Sequence, residues 1–384
     1  MKYGTFSRLN PAGWAALLYG ALCVLASVLT GPAARAQTPL GVDAPHIALL
    51  LPVDSSLYRR HAEALRDGFL AAAQGRGTQK LMIRVYAVGD DPKQAVAHYQ
   101  QALQTGARLV VGPMLRGAVS AVAASDVAVP TLALNVPEGN IPNRTNLYVI
   151  SLQIENEARQ VARLAWREGR RNAYTVYADT PILKRVQQAF NDEFSKIGGK
   201  LVAEFAHNTS PGELKRLKEA VDLKLADMVF LALDARRARS VRGYLHPLAV
   251  YATSQVYTGD ANPAAALELA GIRFVDMPWL VQPDHPAVMV YPRPDFGGDA
   301  DLDRMYALGI DAWRISEALL ARQGDITIDG VTGKLTQGRD RFFARELVSA
   351  RIAEAPAPQI GPPPAPPAPA APAPPAPPAR GPLK

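Results

Sequence analysis

The stretch His46–Ala73, HIALLLPVDSSLYRRHAEALRDGFLAAA, decides how the rest of the chain is read. It opens on an unbroken apolar run, Ile47–Leu51, hydrophobic on both faces. A strand buried between two helical layers has that pattern, whereas a strand with one wet face alternates. Pro52 lacks an N–H for a ladder and ends the run. Asp54, Ser55 and Ser56 follow, with short polar side chains suited to capping a helix. From Leu57 the period becomes helical. Leu57, His61, Leu65, Gly68 and Ala72 share one face, and Arg59, Glu63, Arg66 and Asp67 take the others. Strand, polar turn and helix make the first unit of an α/β sheet, in which ligands bind beyond the carboxyl ends of the strands. Ser55 and Ser56 lie at that end.

The alternation continues. Strands are expected at Leu81–Ala87, Leu109–Val111, Thr131–Leu134 and Leu147–Ile150, with helices at Pro92–Gln104, Leu115–Ala124 and Glu155–Glu168. A second series runs from Tyr174–Ala178 to Ile272–Asp276, with a helix at Ile182–Ile197 stopped by Gly198-Gly199 and another at Pro263–Leu269. Such a pattern predicts an α/β protein with parallel sheets covered by helices on both faces. About five strands twice over are too many for one small sheet, so the reading is two Rossmann-like lobes. An eight-stranded barrel fits less well, because no helix separates Thr131–Leu134 from Leu147–Ile150. Residues 46–150 and 281–325 are assigned to one lobe, and 151–280 and 326–353 to the other. A helix over Tyr306–Gln323 and a closing strand pair within Lys334–Ile352 complete the globular part.

Both ends read differently. Lys2 and Arg8 precede an apolar core, Trp14–Leu29, and Ala34-Arg35-Ala36 offers small residues in a cleavage pattern, so residues 1–36 read as a signal peptide cut after Ala36. An uncleaved anchor is the rival, but the core is short for a membrane span. Cys23, the only cysteine, lies inside that core behind Leu22, which does not suit lipidation. Cleavage leaves a periplasmic chain without thiols, held together by its core alone. The leader has three basic residues and no acid, so its loss lowers the net charge from +7 to +4. That excess is too small for a nucleic-acid footprint. Residues 354–384 are almost entirely Pro and Ala, with 14 of the 33 prolines, and read as an extended disordered tail.

Catalytic patterns are scarce. Six histidines lack metal spacing, and no G-x-S-x-G turn occurs, so neither an enzyme nor a cofactor is expected. Asp299, Asp301 and Asp303 have the first spacings of a calcium loop, but Arg304 and Ile310 stand where Gly and Glu are required. What remains is a cleft lined by Ser55, Ser56, Pro113, Met114, Asn135, Asp179, Ser254, Tyr257 and Asp311, whose alternative use is capping helices and closing turns.

Several stretches carry a family resemblance: I-A-L-L-L-P (47–52), L-V-V-G-P-M-L (109–115), P-T-L-A-L-N (130–135), E-A-R-Q-V-A-R-L-A-W (157–166), V-Y-A-T-S-Q-V-Y-T-G (250–259), G-I-R-F-V-D-M-P-W-L (271–280) and Y-A-L-G-I-D-A-W (306–313). In this order they resemble the LppC/LpoA penicillin-binding-protein activators, which have the type I periplasmic-binding-protein fold. The resemblance implies a periplasmic protein that binds a class A penicillin-binding protein and stimulates peptidoglycan synthesis. It also implies an N-terminal helical-repeat domain, although here only about ten residues separate Ala36 from the first strand. The competing expectation from the same fold is a solute receptor of an ABC-type uptake system, with an amino-acid-like ligand in the cleft. Met114 and Leu115 count against it, since an apolar loop supplies few donors for a buried carboxylate.

Overall fold

The computed structural model describes residues 44–75, 81–139, 144–259 and 267–353. The expected leader and tail, and most of the expected helix Pro263–Leu269, lie outside them. Two compact units are present. One comprises the described residues up to Ile154 together with Asp276–Val348, the other Glu155–Val275 with the described residues from Ser349.

The first unit begins with β1 (His46–Leu51), α1 (Arg59–Gly75), β2 (Met82–Ala87), α2 (Pro92–Gln104), β3 (Ala107–Val111), α3 (Arg116–Ala124), β4 (Thr131–Ala133) and β5 (Leu147–Val149). These strands form a parallel sheet in the order β2-β1-β3-β4-β5. Every residue of β1 is buried, as its two-faced apolar run requires. Of the expected face of α1, Leu65, Gly68 and Ala72 are buried and His61 is half-buried. The full buried set of the helix is Ala62, Ala64, Leu65, Gly68, Phe69 and Ala72, while Leu57 precedes the helix and is 69% exposed.

Across the second unit the chain runs α4 (Ile154–Arg167), β6 (Asn172–Tyr177), α5 (Pro181–Lys196), β7 (Lys200–Ala206), α6 (Pro211–Asp222), β8 (Met228–Ala232), α7 (Ala235–Arg242), β9 (Ala249–Ala252) and β10 (Arg273–Asp276). It then returns to the first unit through the short helices α8 (Pro278–Val281) and α9 (Pro286–Met289), the long helix α10 (Ala300–Leu320) and the strands β11 (Thr327–Gly330), β12 (Gly333–Gln337) and β13 (Phe343–Glu346). The last strand, β14 (Val348–Arg351), joins the second sheet, whose order is β14-β10-β9-β8-β6-β7. Residues 326–348 therefore belong to the first unit rather than to the second lobe as expected. The reason is local: β11, β12 and β13 pair antiparallel with one another, and Leu335 and Phe343 pack into the first unit's core.

That core is closed by α10 lying on α1. The fit depends on two glycines, because a Cβ at Gly309 would come 2.0 Å from the Leu65 carbonyl oxygen and one at Gly68 would come 2.0 Å from that of Tyr306. Trp313 meets Phe69 edge-on, with ring centroids 5.2 Å apart.

Candidate functional site

The structure divides the nine cleft candidates between the two units: Ser55, Ser56, Pro113, Met114, Asn135 and Asp311 in the first, Asp179, Ser254 and Tyr257 in the second.

At the end of β1, Ser55 is buried and its Oγ accepts hydrogen bonds from the backbone N–H groups of Leu57 (3.2 Å) and Tyr58 (2.9 Å). It closes the turn ahead of α1, the cap its residue type suggested. Ser56 is exposed. At the end of β3, Gly112 has φ +109°, and a Cβ there would come 2.1 Å from the Leu50 carbonyl oxygen, so only glycine lets the chain leave the sheet this way. Pro113 accepts a bond from the Leu134 N–H at 2.9 Å, and Met114 sits in the apolar core. Asn135 fastens this loop from the end of β4. Its Nδ2 donates to the Met114 carbonyl (3.2 Å) and its Oδ1 accepts from the Val136 N–H (2.9 Å).

Asp311 is corrected from cleft residue to interior anchor. It is fully buried on α10 and grips the turn Gly330–Gly333 between β11 and β12. One carboxylate oxygen accepts from the Val331 N–H (3.1 Å) and the other from the Thr332 N–H and Oγ1, both at 2.7 Å. Desolvation raises its pKa, against the opposing pull of the Thr332 hydrogen bonds and Arg314. The Thr332 carbonyl in turn accepts from Arg345, whose Nε donates to the Ser151 carbonyl. The turn is thereby tied to the strand after it and to the segment entering α4.

Neighbouring acids that the sequence offered as a failed calcium loop have separate duties. Asp299 caps α10 through the N–H groups of Asp301 and Leu302, so the helix begins six residues before the expected start. Asp301 pairs with Arg304 at 2.6 Å, and Asp303 accepts from the Trp279 indole at 3.0 Å. Burial raises the pKa of Asp303. Arg304 also makes a buried ion pair with Asp276 at 2.7 Å. Sequence reasoning missed that pair. Its only signal was an acid standing inside the apolar stretch F-V-D-M-P-W.

In the second unit, Asp179 is exposed and pairs with Lys184 at 2.5 Å, which raises the lysine pKa. Ser254 is buried, and its N–H donates to the carboxylate of Glu157, itself buried on α4, at 3.0 Å. Tyr257 stacks on Phe274 with centroids 5.5 Å apart. A histidine–serine contact also exists, His207 Nε2 to Ser240 Oγ at 2.9 Å. The serine hydroxyl donates to the Arg237 carbonyl at 2.7 Å, so the histidine donates to it rather than taking its proton. That is the wrong polarity for an activated nucleophile. Among the described residues no group of His, Cys, Asp and Glu could hold a metal ion, and no helix is long and apolar enough to cross a membrane.

The penicillin-binding protein activator LpoA of Erwinia tasmaniensis is 30% identical over 325 residues, covering 72% of this chain and 48% of that protein. LpoA of Pantoea ananatis is 29% identical over 316 residues. The chain thus spans about half the length of the curated relatives it matches. Among solved structures, a "putative branched-chain amino acid ABC transporter" from Chromobacterium violaceum is 37% identical, with a TM-score of 0.70 over 80% of this chain and 100% of that one. The C-domain of LpoA from Haemophilus influenzae, described as a regulator of PBP1A, superposes with a TM-score of 0.66 over 80% of this chain and 97% of that one; at 22% identity this shows the fold. These neighbours identify the architecture as the type I periplasmic-binding-protein fold. The model of the family described as "LppC putative lipoprotein" matches residues 40–225 and 214–352, and the chain belongs to that family.

Proposed function

We propose that this protein is a non-enzymatic regulator in the periplasm, exported with cleavage of its leader after Ala36, that binds a class A penicillin-binding protein and stimulates its peptidoglycan synthesis. The observation that carries the reading is the alignment with activators named LpoA over about seven-tenths of the chain. Within the first unit, the geometry supports it. Ser55 and Asn135 use their polar atoms on nearby backbone of the same unit, and Met114 is packed in its core, so these side chains are already engaged. Native mass spectrometry of the purified protein together with a pull-down from envelope membranes tests the proposal. Co-purification of a class A synthase supports it; a co-purifying amino acid with no synthase overturns it.

The solute-receptor reading rests on one structural observation besides the Chromobacterium neighbour. Thr253, just beyond β9, is fully buried, and its Oγ1 has no hydrogen-bond partner among the described residues. A receptor for leucine or a related amino acid would be stabilised by RT ln(1 + [L]/Kd), about 2.7 kcal/mol at a hundredfold excess over Kd, and would show this as a thermal shift. The shift would be lost in Thr253→Val. The activator reading expects no shift.

A further inference from the structure

Resting on the activator reading, we propose that the synthase docks on the amino-terminal end of the second unit's sheet, through an apolar ridge of Leu223, Leu225 and Tyr244 flanked by Arg171, Lys200 and Lys224. Strand register places these residues together. Asn172 pairs with Lys200, Ala173 with Met228, and Met228 with Ala249, so the loops entering β6, β7, β8 and β9 emerge side by side. The last turns of α6, which lead into the α6–β8 loop, also touch the segment before β9, since Lys218 on that helix pairs with Asp222 (2.6 Å) and reaches the His246 carbonyl (3.5 Å). On this end Leu223 is 67% exposed, Leu225 58% and Tyr244 37%. Two leucines within three residues of one loop, rather than scattered singly, mark a contact surface.

Charge names the kind of partner. Across the described residues, the second unit has more Lys and Arg than Asp and Glu, and the first does not. Acids near the ridge are engaged locally. Asp227 accepts from the N–H groups of Arg171 and Asn172, Asp222 holds Lys218, and Glu168 takes both Arg273 and the Tyr251 hydroxyl. Lys200 and Lys224 make no ion pair among the described residues. The occupant must therefore present carboxylates around an apolar centre. A folded protein fits better than a lipid surface, because the key cation is fixed in place. The Arg171 guanidinium lies 3.7 Å above the Trp166 ring and donates to the carbonyls of Trp166 (2.9 Å) and Arg170 (2.8 Å). Such a guanidinium suits a carboxylate held at a matching position, whereas fluid headgroups gain nothing from its rigidity.

The test compares the full chain with Leu223→Ser/Leu225→Ser and Lys200→Glu/Lys224→Glu variants. Binding is measured to the detergent-solubilised class A penicillin-binding protein of the same cell, and to vesicles of phosphatidylethanolamine and phosphatidylglycerol. All four side chains are exposed, so an unchanged Tm in each variant verifies the fold. The proposal expects affinity for the synthase to fall about tenfold or more in both variants, and the wild-type affinity to weaken with salt. Unchanged affinity in both variants overturns this surface while leaving the activator reading intact. Failure of the wild-type protein to bind the synthase overturns both. Vesicle binding that the variants lose, with synthase binding kept, assigns the ridge to the membrane and likewise overturns the proposal.

Discussion

Two serines side by side behave as opposites. Ser55 is buried with two backbone donors on its hydroxyl, and Ser56 points into water. Ser55→Ala is expected to cost about 1 kcal/mol of unfolding free energy as a lost cap, and Ser56→Ala to stay within about 0.5 kcal/mol; chemical denaturation of the two variants measures both. Asp311 carries more. Asp311→Asn leaves an N–H₂ group facing buried donors and is expected to cost about 2–4 kcal/mol at neutral pH. Its pH dependence has a definite sign. The folded-state pKa is raised above the ordinary 3.8, so the folded protein holds this proton more tightly than the unfolded chain does. Relative to the Asn variant, the wild type is most stable below that value and loses the extra margin as pH rises towards the folded-state pKa. Thermal melts of both proteins from acid to neutral pH follow this margin; a gap that stays flat or widens with pH contradicts the assignment. At this scale the sequence was legible where the partner is local. Ser55 caps a turn two and three residues on, whereas Asp311 finds its donors twenty residues later, across a turn that periodicity does not place over it.

Whole elements were legible wherever hydrophobic period decides them. β1, α1 and the strand–helix alternation follow from apolar spacing, and Gly198-Gly199 ends α5 as such a pair should. Errors arose where tertiary contact outweighs period. Leu57 fits the helical spacing but lies outside the helix, because the Ser55 cap delays its start. α10 was expected to start at Tyr306, yet Asp299 caps it and Arg304 is drawn inside by Asp276. The G in Y-A-L-G-I-D-A-W is a packing residue: Gly309→Ala would press a methyl into the Leu65 carbonyl and should destabilise by about 3 kcal/mol or more. Combined with Gly68→Ala it should be non-additive, since both act at one crossing. Arg304→Met should cost about 3–5 kcal/mol by leaving Asp276 buried without its partner. The double variant Asp276→Asn/Arg304→Met should recover part of that loss, which denaturant titration of the three proteins will show.

For the molecule as a whole, two parallel sheets with covering helices were readable from the count of alternating elements. The assignment of the final strands was not. β11 to β13 and β14 are short and look alike in sequence, yet the chain leaves the first unit only at Val348, after a hairpin that Asp311 and Arg345 hold in place. No local feature of Lys334–Ile352 marks that point. Of the candidate site, the residue types were right for caps and turns, and the convergence on one ligand was the untested step. The most direct measurement of the central claim is the glycan polymerisation rate of the purified class A synthase with and without the protein at saturating concentration. Stimulation of that rate, abolished by Lys200→Glu/Lys224→Glu, is the expected result. An unchanged rate, together with a reproducible leucine-dependent thermal shift that Thr253→Val removes, would contradict it.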